Sequence, residues 1–244
     1  MKRIEVITRP YKLDEIKEKL TGIGIKGMTD AASPLCPPRI GEPAPDFEAE
    51  TTQGILRLED FRGKWLVLFS HPADFTPVCA SELIAFATAA PTLRRLGCEL
   101  LGLSVDSIFS HLAWLRSIKE RFGTVIDYPL VADTAGEMAR RYGMLMPVES
   151  RTEPARVTYI LDDRQIVRAS LCYPMTTGRN VEEIVRLVEA LLTTDAHGVA
   201  TPANWRPGQA VLVPPPRTRA MAEERAGDGD SSCPDWYYCT KEIA

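Results

Sequence analysis

One stretch, HPADFTPVC at residues 71–79, decides the fold of this chain. Before it, the apolar run WLVLFS at 65–70 is far shorter than the ~20 residues of a membrane-spanning helix and predicts a buried strand. After it, apolar residues between 80 and 96 recur at helical spacing. Cys79 is therefore expected where a buried strand turns into the first residues of a helix. Unpaired backbone N–H groups and the positive end of the helix dipole at such a place favour a thiolate anion.

The neighbours of Cys79 favour a reactive thiol, although most lone cysteines are simply small buried hydrophobic residues. Thr76 lies three residues earlier, within reach of the sulfur for a hydrogen bond, and Pro72 stiffens the approach. The pattern Pro-x-x-x-Thr-x-x-Cys directly after a strand resembles the active-site signature of peroxiredoxins, the thiol peroxidases. With His71 before it and Glu82 after it, the stretch resembles the 1-Cys or peroxiredoxin-6-like subfamily.

Composition indicates an ordinary globular protein. The 244 residues are 45% hydrophobic and 25% charged, with a net charge of -4, which gives no reason to expect nucleic acid as a partner. The first residues lack an apolar signal core and no run is long enough to span a membrane, so we expect a cytoplasmic protein. Six cysteines are too few for a disulfide scaffold of this length, so redox chemistry by some of them is the better expectation.

The middle of the chain predicts an α/β fold. Strands are expected near 47–51, 56–58, 65–70, 99–105, 128–132, 156–161 and 166–173, and helices at 80–96, 107–121, 135–142 and 181–192. Strands alternating with helices, closed by a hairpin and a helix, fit a thioredoxin-like core. We assign residues 39–195 to this peroxidase domain. Its first residues, 40–47, resemble the sequence with which peroxiredoxin domains begin.

The two ends of the chain differ from this core. Residues 1–30 predict a strand, a helix and a second strand, and resemble the N-terminus of nitrogen-regulatory P-II proteins, but lack their effector loop. The unit either mediates subunit contacts or is a loosely attached remnant, and residues 31–38 form a proline-stiffened linker. Residues 196–244 resemble the C-terminal domain of the same peroxiredoxin subfamily in the sequence motif around Trp205. They carry a tail, CPDWYYC, at 233–239.

The resemblance assigns roles in peroxide reduction. Cys79 would attack one peroxide oxygen and become a sulfenic acid. Thr76 would hold the thiolate and the peroxide oxygen, and Pro72 would shield the sulfur from water. Arg156 falls where peroxiredoxins keep their active-site arginine, although its spacing alone reads as a solubilising charge at a strand edge.

Three further residues are expected to support the site. Glu82, one turn after Cys79, is expected to orient an arginine rather than act as a base. Arg179 is a second candidate for that network, or an ordinary charge at a helix start. His71 could line the site, although a lone histidine beside a strand end is more often structural.

The cysteines differ in how well they are placed to resolve a sulfenic acid. Cys98 and Cys172 lie in or beside strands and are expected in the core, whereas Cys36 lies in the linker and stays open. The tail resembles the C-terminal arm of archaeal and bacterial members in which the last cysteine resolves, often across subunits. By that resemblance Cys239 is the expected resolving cysteine, with Cys233 as a shuttle or backup; a zinc site at this pair lacks ligands.

The expected function is reduction of hydrogen peroxide and small alkyl hydroperoxides with an external thiol reductant of thioredoxin or glutaredoxin type. No metal, haem or flavin is needed, and the resemblance implies a homodimer or a ring of dimers. The lipase-type Gly-x-Ser-x-Gly element of some animal members is absent from the sequence, so phospholipase activity is not expected. The alternatives are a peroxide sensor or chaperone-like assembly switched by Cys79 and, disfavoured, a nitrogen-status adaptor.

Overall fold

The computed structural model describes residues 37–227 and 232–243. The predicted P-II-like unit and most of the linker, including Cys36, lie outside the described residues. Among the described residues, no helix is both long and apolar enough to cross a membrane.

Seven strands form the central sheet. They are β1 Glu48–Thr51, β2 Gly54–Arg57, β3 Trp65–Ser70, β4 Cys98–Ser104, β5 Leu130–Ala132, β6 Arg156–Leu161 and β7 Val167–Tyr173. Their order is β2-β1-β5-β4-β3-β6-β7, with β3, β4 and β5 parallel and every other neighbouring pair antiparallel. The apolar run that follows Lys64 is thus an interior strand, between β4 and β6, where both faces are covered.

Helices cover both faces of this sheet. The helices of the peroxidase core are α1 Pro77–Arg95, α2 Ile108–Phe122, α3 Glu137–Arg141 and α4 Val181–His197. Because side chains alternate along a strand, Val67 and Phe69 of β3 pack with α1, α2 and α4, whereas Leu66 and Leu68 pack with α3 on the other face. This three-layer arrangement confirms the predicted thioredoxin-like α/β fold.

The described C-terminal segment adds a small second sheet. Strands β8 Val211–Val213 and β9 Cys239–Lys241 pair antiparallel, and helix α5 Arg219–Gly227 lies between them in the chain. Trp205, 2% exposed, anchors this segment by packing with Ala190 of α4, Val199 and Val211. The segment therefore joins the core at the C-terminal half of α4.

Element ends differ from the sequence prediction where side-chain periodicity carries little information. Helix α4 continues past the predicted end at 192 to His197, where Gly198 adopts a left-handed conformation (φ 61°) and its N–H donates to Thr194 O. Helix α1 starts at Pro77, which needs no hydrogen-bond partner for its nitrogen at the first helical position.

Candidate active site

Cys79 is the third residue of helix α1, and its side chain is wholly buried, with 0% exposure. The loop 71–76 leads from the end of β3 to the helix, and within it Phe75 adopts a left-handed backbone conformation (φ 56°) that is uncommon outside glycine. The strand-to-helix junction expected from the sequence is therefore confirmed, and it directs the sulfur inward.

Thr76 caps helix α1 with its backbone, but its hydroxyl points back along the loop. The hydroxyl donates to the carbonyl oxygen of Ala73 over 2.9 Å and makes no side-chain cap to the helix. Since a hydroxyl has one proton and two acceptor lone pairs, the oxygen of Thr76 remains able to accept a hydrogen bond. The expected donation from Thr76 to the sulfur is not part of this arrangement. Pro72 is buried at the start of the same loop.

Arg156 reaches the sulfur from β6, the strand that pairs with β3. It opens strand β6, is 2% exposed, and places Nη1 at 3.4 Å from Cys79 Sγ. Its Nε and Nη2 donate to the carbonyl oxygen of Met175 over 2.9 and 2.6 Å, which fixes the plane of the guanidinium. Arg156 is therefore held in place by groups other than the sulfur.

Glu82 binds two arginines at once. Its Oε2 accepts from Arg156 Nη1 over 2.7 Å and from Arg179 Nη2 over 2.7 Å. Its Oε1 accepts from the backbone N–H and from Nε of Arg179, over 2.8 and 2.9 Å. Such charge-assisted, partly bidentate bonds define geometry more sharply than a single contact does.

Burial and charge act in opposite directions on Glu82. Burial alone would raise the pKa of this carboxyl, but the hydrogen bonds and charge of Arg179, with the charge of Arg156, lower the pKa below its ordinary value. The guanidinium of Arg179 also lies over the rings of Phe69 and Phe86, at 5.1 and 5.5 Å from their centroids. The carboxylate is thus a charged, fixed anchor for both arginines.

A second buried network holds the other side of the loop. Asp74 accepts from His71 Nε2 over 3.1 Å and from His111 Nδ1 over 2.9 Å, while His111 Nε2 lies 3.1 Å from the carbonyl oxygen of Val131. A carbonyl and a carboxylate only accept. Both ring nitrogens of His111 must therefore donate, which makes this ring an imidazolium paired with the Asp74 carboxylate.

The pKa directions agree with this assignment. Burial raises the pKa of Asp74, but the hydrogen bonds from His111 and His71 outweigh it and lower that pKa to about 2. Burial alone would lower the pKa of His111, but the hydrogen bond and charge of Asp74 outweigh burial, so the pKa is raised above its ordinary value. For His71 burial dominates and lowers the pKa, so the ring is neutral, and its buried Nδ1 has no partner among the described residues.

The same three residues are the group in the described part of the chain whose donor atoms, all within 4.8 Å of one another, could hold a metal ion. The atoms of His71 and His111 that face Asp74 are already paired with its carboxylate. These hydrogen bonds explain the cluster without a metal ion, because they connect the loop 71–76 to helix α2 and hold the two together. Asp74 and His111 were not identified from the sequence, and nothing local links two residues so far apart in the chain.

The tail cysteines are bonded to each other. Cys233 and Cys239 form a disulfide, and Cys239 lies in β9 opposite Val213 of β8. Val211 of β8, the strand that pairs with β9, packs with Ala190, which lies ten residues along α4 from the cap at Asn180, or about 15 Å along the helix axis. Arg179 precedes that cap, so the small sheet that holds Cys239 contacts α4 about 15 Å along the helix axis from the end that carries Arg179.

The remaining described cysteines differ from each other. Cys98 is buried as expected, and burial raises its pKa to about 12, which makes it unreactive. Cys172 was expected in the core, and that expectation is wrong, because its side chain is exposed. It lies on the edge strand β7, where Val167 and Ala169 face inward and the alternate positions face outward.

Comparison with known proteins identifies the family. Residues 40–170 match the AhpC/TSA family and residues 190–229 match the C-terminal domain of 1-Cys peroxiredoxin. A peroxiredoxin of Aquifex aeolicus is 49% identical over 217 residues, covering 84% of this chain and 97% of that protein. A solved yeast mitochondrial 1-Cys peroxiredoxin, studied for thiol resolution via glutathione/thioredoxin systems, superposes with a TM-score of 0.73 at 34% identity, covering 84% of this chain and 99% of the other.

A second solved structure agrees. A mutant of the peroxiredoxin 6 of Arenicola marina superposes with a TM-score of 0.73 at 32% identity and covers 84% of this chain and 98% of its own. The strand-to-helix cysteine and the buried arginine pair thus occur in a chain whose sequence and fold both match one group of proteins. The chain belongs to the AhpC/TSA family and is a thiol-dependent peroxidase of the 1-Cys peroxiredoxin type.

Proposed function

We propose that Cys79 reduces hydrogen peroxide and small alkyl hydroperoxides and that a tail cysteine, Cys239, resolves the product. The observation that carries the proposal is the 3.4 Å contact between Arg156 Nη1 and Cys79 Sγ, made by a guanidinium that Glu82 and Met175 O already hold. A fixed positive donor beside a buried sulfur is suited to stabilise charge that develops during attack on a peroxide.

The buried charges beside Cys79 sum to a net positive charge. Arg156 and Arg179 carry two positive charges and Glu82 one negative charge. Glu82 therefore leaves one positive charge of the cluster unbalanced beside the sulfur. A fixed positive charge at this place stabilises negative charge that develops when a peroxide is attacked.

The chemical step follows from these positions. The Cys79 sulfur attacks one oxygen of R–O–O–H, a sulfur–oxygen bond forms and the oxygen–oxygen bond breaks, so the sulfur is oxidised to a sulfenic acid and the peroxide leaves as R–OH after gaining a proton. Arg156 stabilises the charge on the departing oxygen. The free acceptor lone pairs of Thr76 bind the peroxide hydroxyl and align it, and the buried Pro72 keeps water from the sulfur.

The sulfenic acid is resolved by a second thiol. A reduced Cys239 attacks the sulfur of the Cys79 sulfenic acid, releases water and forms a Cys79–Cys239 disulfide. Cys233 then attacks Cys239, and Cys79 leaves as a thiolate. The pairing of Cys233 with Cys239 supports this shuttle, and the contact of their β8–β9 sheet with α4 at Ala190, about 15 Å along the helix axis from its Arg179 end, favours a Cys239 from another subunit.

The partners follow from this chemistry. We propose a homodimer or a ring of dimers, since resolution across subunits requires a second copy. The reductant is an external thiol of thioredoxin or glutaredoxin type, in line with the glutathione/thioredoxin systems studied with the yeast relative. The compartment remains our prediction from the sequence, the cytoplasm. The domain boundaries and a contact role for residues 1–30 also stand as predictions.

Single-turnover oxidation tests the proposal. The reduced protein is mixed with one equivalent of hydrogen peroxide in the presence of a sulfenic-acid trap, and the modified peptide is identified by mass spectrometry. The trap should label Cys79; Cys79→Ser should consume no peroxide, and Cys172→Ser, at an exposed edge-strand position, should react like the parent. Labelling elsewhere would refute the assignment.

Turnover separates an enzyme from a sensor. With excess reductant a peroxidase consumes many equivalents of peroxide per chain, whereas a sensor or a chaperone-like assembly stops after one. We expect sustained consumption.

A further inference from the structure

The two sulfurs of the tail disulfide lie in different surroundings. Cys239 is 3% exposed and is held in β9, paired with Val213 of β8. Its sulfur lies 3.8 Å from the carbonyl oxygen of Asp235. Cys233 precedes the strand and is partly exposed. A nucleophile arriving from solvent therefore meets Cys233 first.

Thiol–disulfide exchange has a direction. The attacking thiolate approaches one sulfur from the side opposite the other, and access decides which sulfur is attacked. Cys239 is buried within the β8–β9 pair, so a thiolate could attack its sulfur only if that pair opened. Cys233 lies outside the pair and can be attacked without such opening. We propose that an external protein dithiol attacks Cys233, so that Cys233 is the electron-entry residue and Cys239 the leaving thiol. This proposal rests on the proposed function and names how the reductant enters it.

The exchange balances in two steps. The first reductant thiolate forms a disulfide with Cys233 while the Cys233–Cys239 bond breaks, and Cys239 leaves as a thiolate that takes up a proton. The second reductant thiolate then attacks the first reductant sulfur, and Cys233 leaves as a thiolate. The two tail thiols gain two electrons, and the reductant leaves as a disulfide. The cysteine freed first is Cys239, the residue that must next meet the Cys79 sulfenic acid.

The residues between the two cysteines favour a protein over a small thiol. Trp236, Tyr237 and Tyr238 are 39%, 57% and 44% exposed, and the rings of Trp236 and Tyr237 meet edge to face at 5.6 Å. Exposed aromatic residues of this kind are enriched at protein interfaces. Cys79 is wholly buried whereas Cys233 is partly exposed, so Cys233 is the more accessible sulfur for a protein reductant. The disulfide with its adjoining aromatic residues offers both a reactive bond and a contact surface.

A trapping experiment tests the assignment. The full chain is oxidised with peroxide and incubated with a thioredoxin whose second active-site cysteine is replaced by serine, so that the mixed disulfide cannot be released. Peptide mapping under non-reducing conditions should find the thioredoxin linked to Cys233. A link to Cys239 or to Cys79, or no mixed disulfide at all, would overturn the proposal.

Two variants sharpen the test. Cys233→Ser should lose the parent mixed disulfide and most turnover with intact thioredoxin, while single-turnover labelling of Cys79 persists; Cys172→Ser should behave like the parent. If Cys79 fails to form a sulfenic acid, the proposed function fails. If Cys79 reacts but the thioredoxin is found on Cys239, only the electron-entry proposal fails.

The aromatic residues have their own readout. Trp236→Ala should raise the KM for thioredoxin by about thirtyfold, the effect of removing one interface hot spot, and leave the rate with dithiothreitol unchanged. Phe122→Ala removes another exposed aromatic side chain, 62% exposed at the end of α2, and should change neither. An equal loss of peroxidase activity with thioredoxin and with dithiothreitol would show that Trp236 only supports the structure of the tail, and would overturn its docking role.

Discussion

Arg156 Nη1 lies 3.4 Å from Cys79 Sγ and 2.7 Å from Glu82 Oε2, so one nitrogen links the candidate nucleophile to the buried carboxylate. The guanidinium is held by Glu82 on one side and by Met175 O on the other. The donor therefore needs no rearrangement when the sulfur attacks, which is the condition under which fixed dipoles stabilise a transition state best.

Replacing Arg156 by lysine should slow the reaction with peroxide. An ammonium keeps the charge, but it cannot bond Glu82, Met175 O and the sulfur in one plane. We expect the second-order rate constant for oxidation of Cys79 to fall by about 10²–10³-fold, measured by stopped flow under single-turnover conditions. Arg94→Lys, in an ion pair with Asp127 at the surface, is the matched control and should leave the rate unchanged.

Thr76 should matter as an acceptor. Thr76→Ser keeps the hydroxyl that donates to Ala73 O and should retain most activity. Thr76→Val removes the oxygen, and misalignment of the peroxide should lower kcat/KM on the order of 10²-fold. Steady-state assays with hydrogen peroxide distinguish the two. Equal rates for both variants would contradict a role for the hydroxyl oxygen.

The sequence predicts the parts of the site that depend on local pattern. The apolar run 65–70, Pro77 and the helical periodicity beyond it specify where the strand ends and the helix begins, and the structure confirms this junction. The exposure of Cys172 was also readable in principle, because the alternation of Val167 and Ala169 assigns it to the opposite face of β7. What the pattern lacked was the position of β7 at the sheet edge, which leaves that face uncovered.

The bonds that span distant segments were not predictable in the same way. No local spacing relates Asp74 to His111, since sheet order brings α2 beside the loop. Glu82 and Arg179 likewise meet only after β6 and β7 are placed. The sequence shows that a charged residue needs a compensating partner if it is buried. Only the fold shows which residue that partner is.

Glu82→Gln should weaken the fold and change its dependence on pH. Removing one charge from a buried ion cluster costs about 3–5 kcal/mol of unfolding free energy at neutral pH. The folded pKa of Glu82 lies below its ordinary value, so its contribution is present above about pH 4.3, the unfolded pKa, and is lost as pH falls through the folded pKa. In denaturant unfolding at several pH values, the unfolding free energy of the variant should fall less steeply with decreasing pH than that of the parent protein.

The control for that experiment is an exposed pair. Glu183 bonds Arg186 near the surface of α4, and Glu183→Gln should cost no more than about 1 kcal/mol. A comparable loss in both variants would show that burial of the Glu82 cluster adds nothing.

His111 should give the opposite pH dependence. Its folded pKa is raised, so its stabilisation is fully present below the unfolded pKa of about 6.5 and is lost as pH rises through the folded pKa. Nitrogen NMR of the imidazole should show two protonated nitrogens near neutral pH. In Asp74→Asn the partner charge is gone, and the ring should lose a proton at lower pH. A singly protonated His111 in the parent would contradict the imidazolium assignment.

Cys233→Ser should trap the resolving step. In the proposed shuttle, Cys233 is the thiol that takes Cys239 away from Cys79, so without it the Cys79–Cys239 disulfide has no internal route to exchange. After peroxide treatment without reductant, this disulfide should accumulate and run as a covalent dimer on a non-reducing gel, because the sheet that holds Cys239 of the same chain contacts α4 about 15 Å along the helix axis from its Arg179 end. The double variant Cys233→Ser, Cys239→Ser should give no dimer and leave Cys79 as a sulfenic acid. A monomeric Cys79–Cys239 product would instead require the tail to leave β8 and cross to its own active site, and would reject resolution across subunits while keeping Cys239 as the resolving thiol.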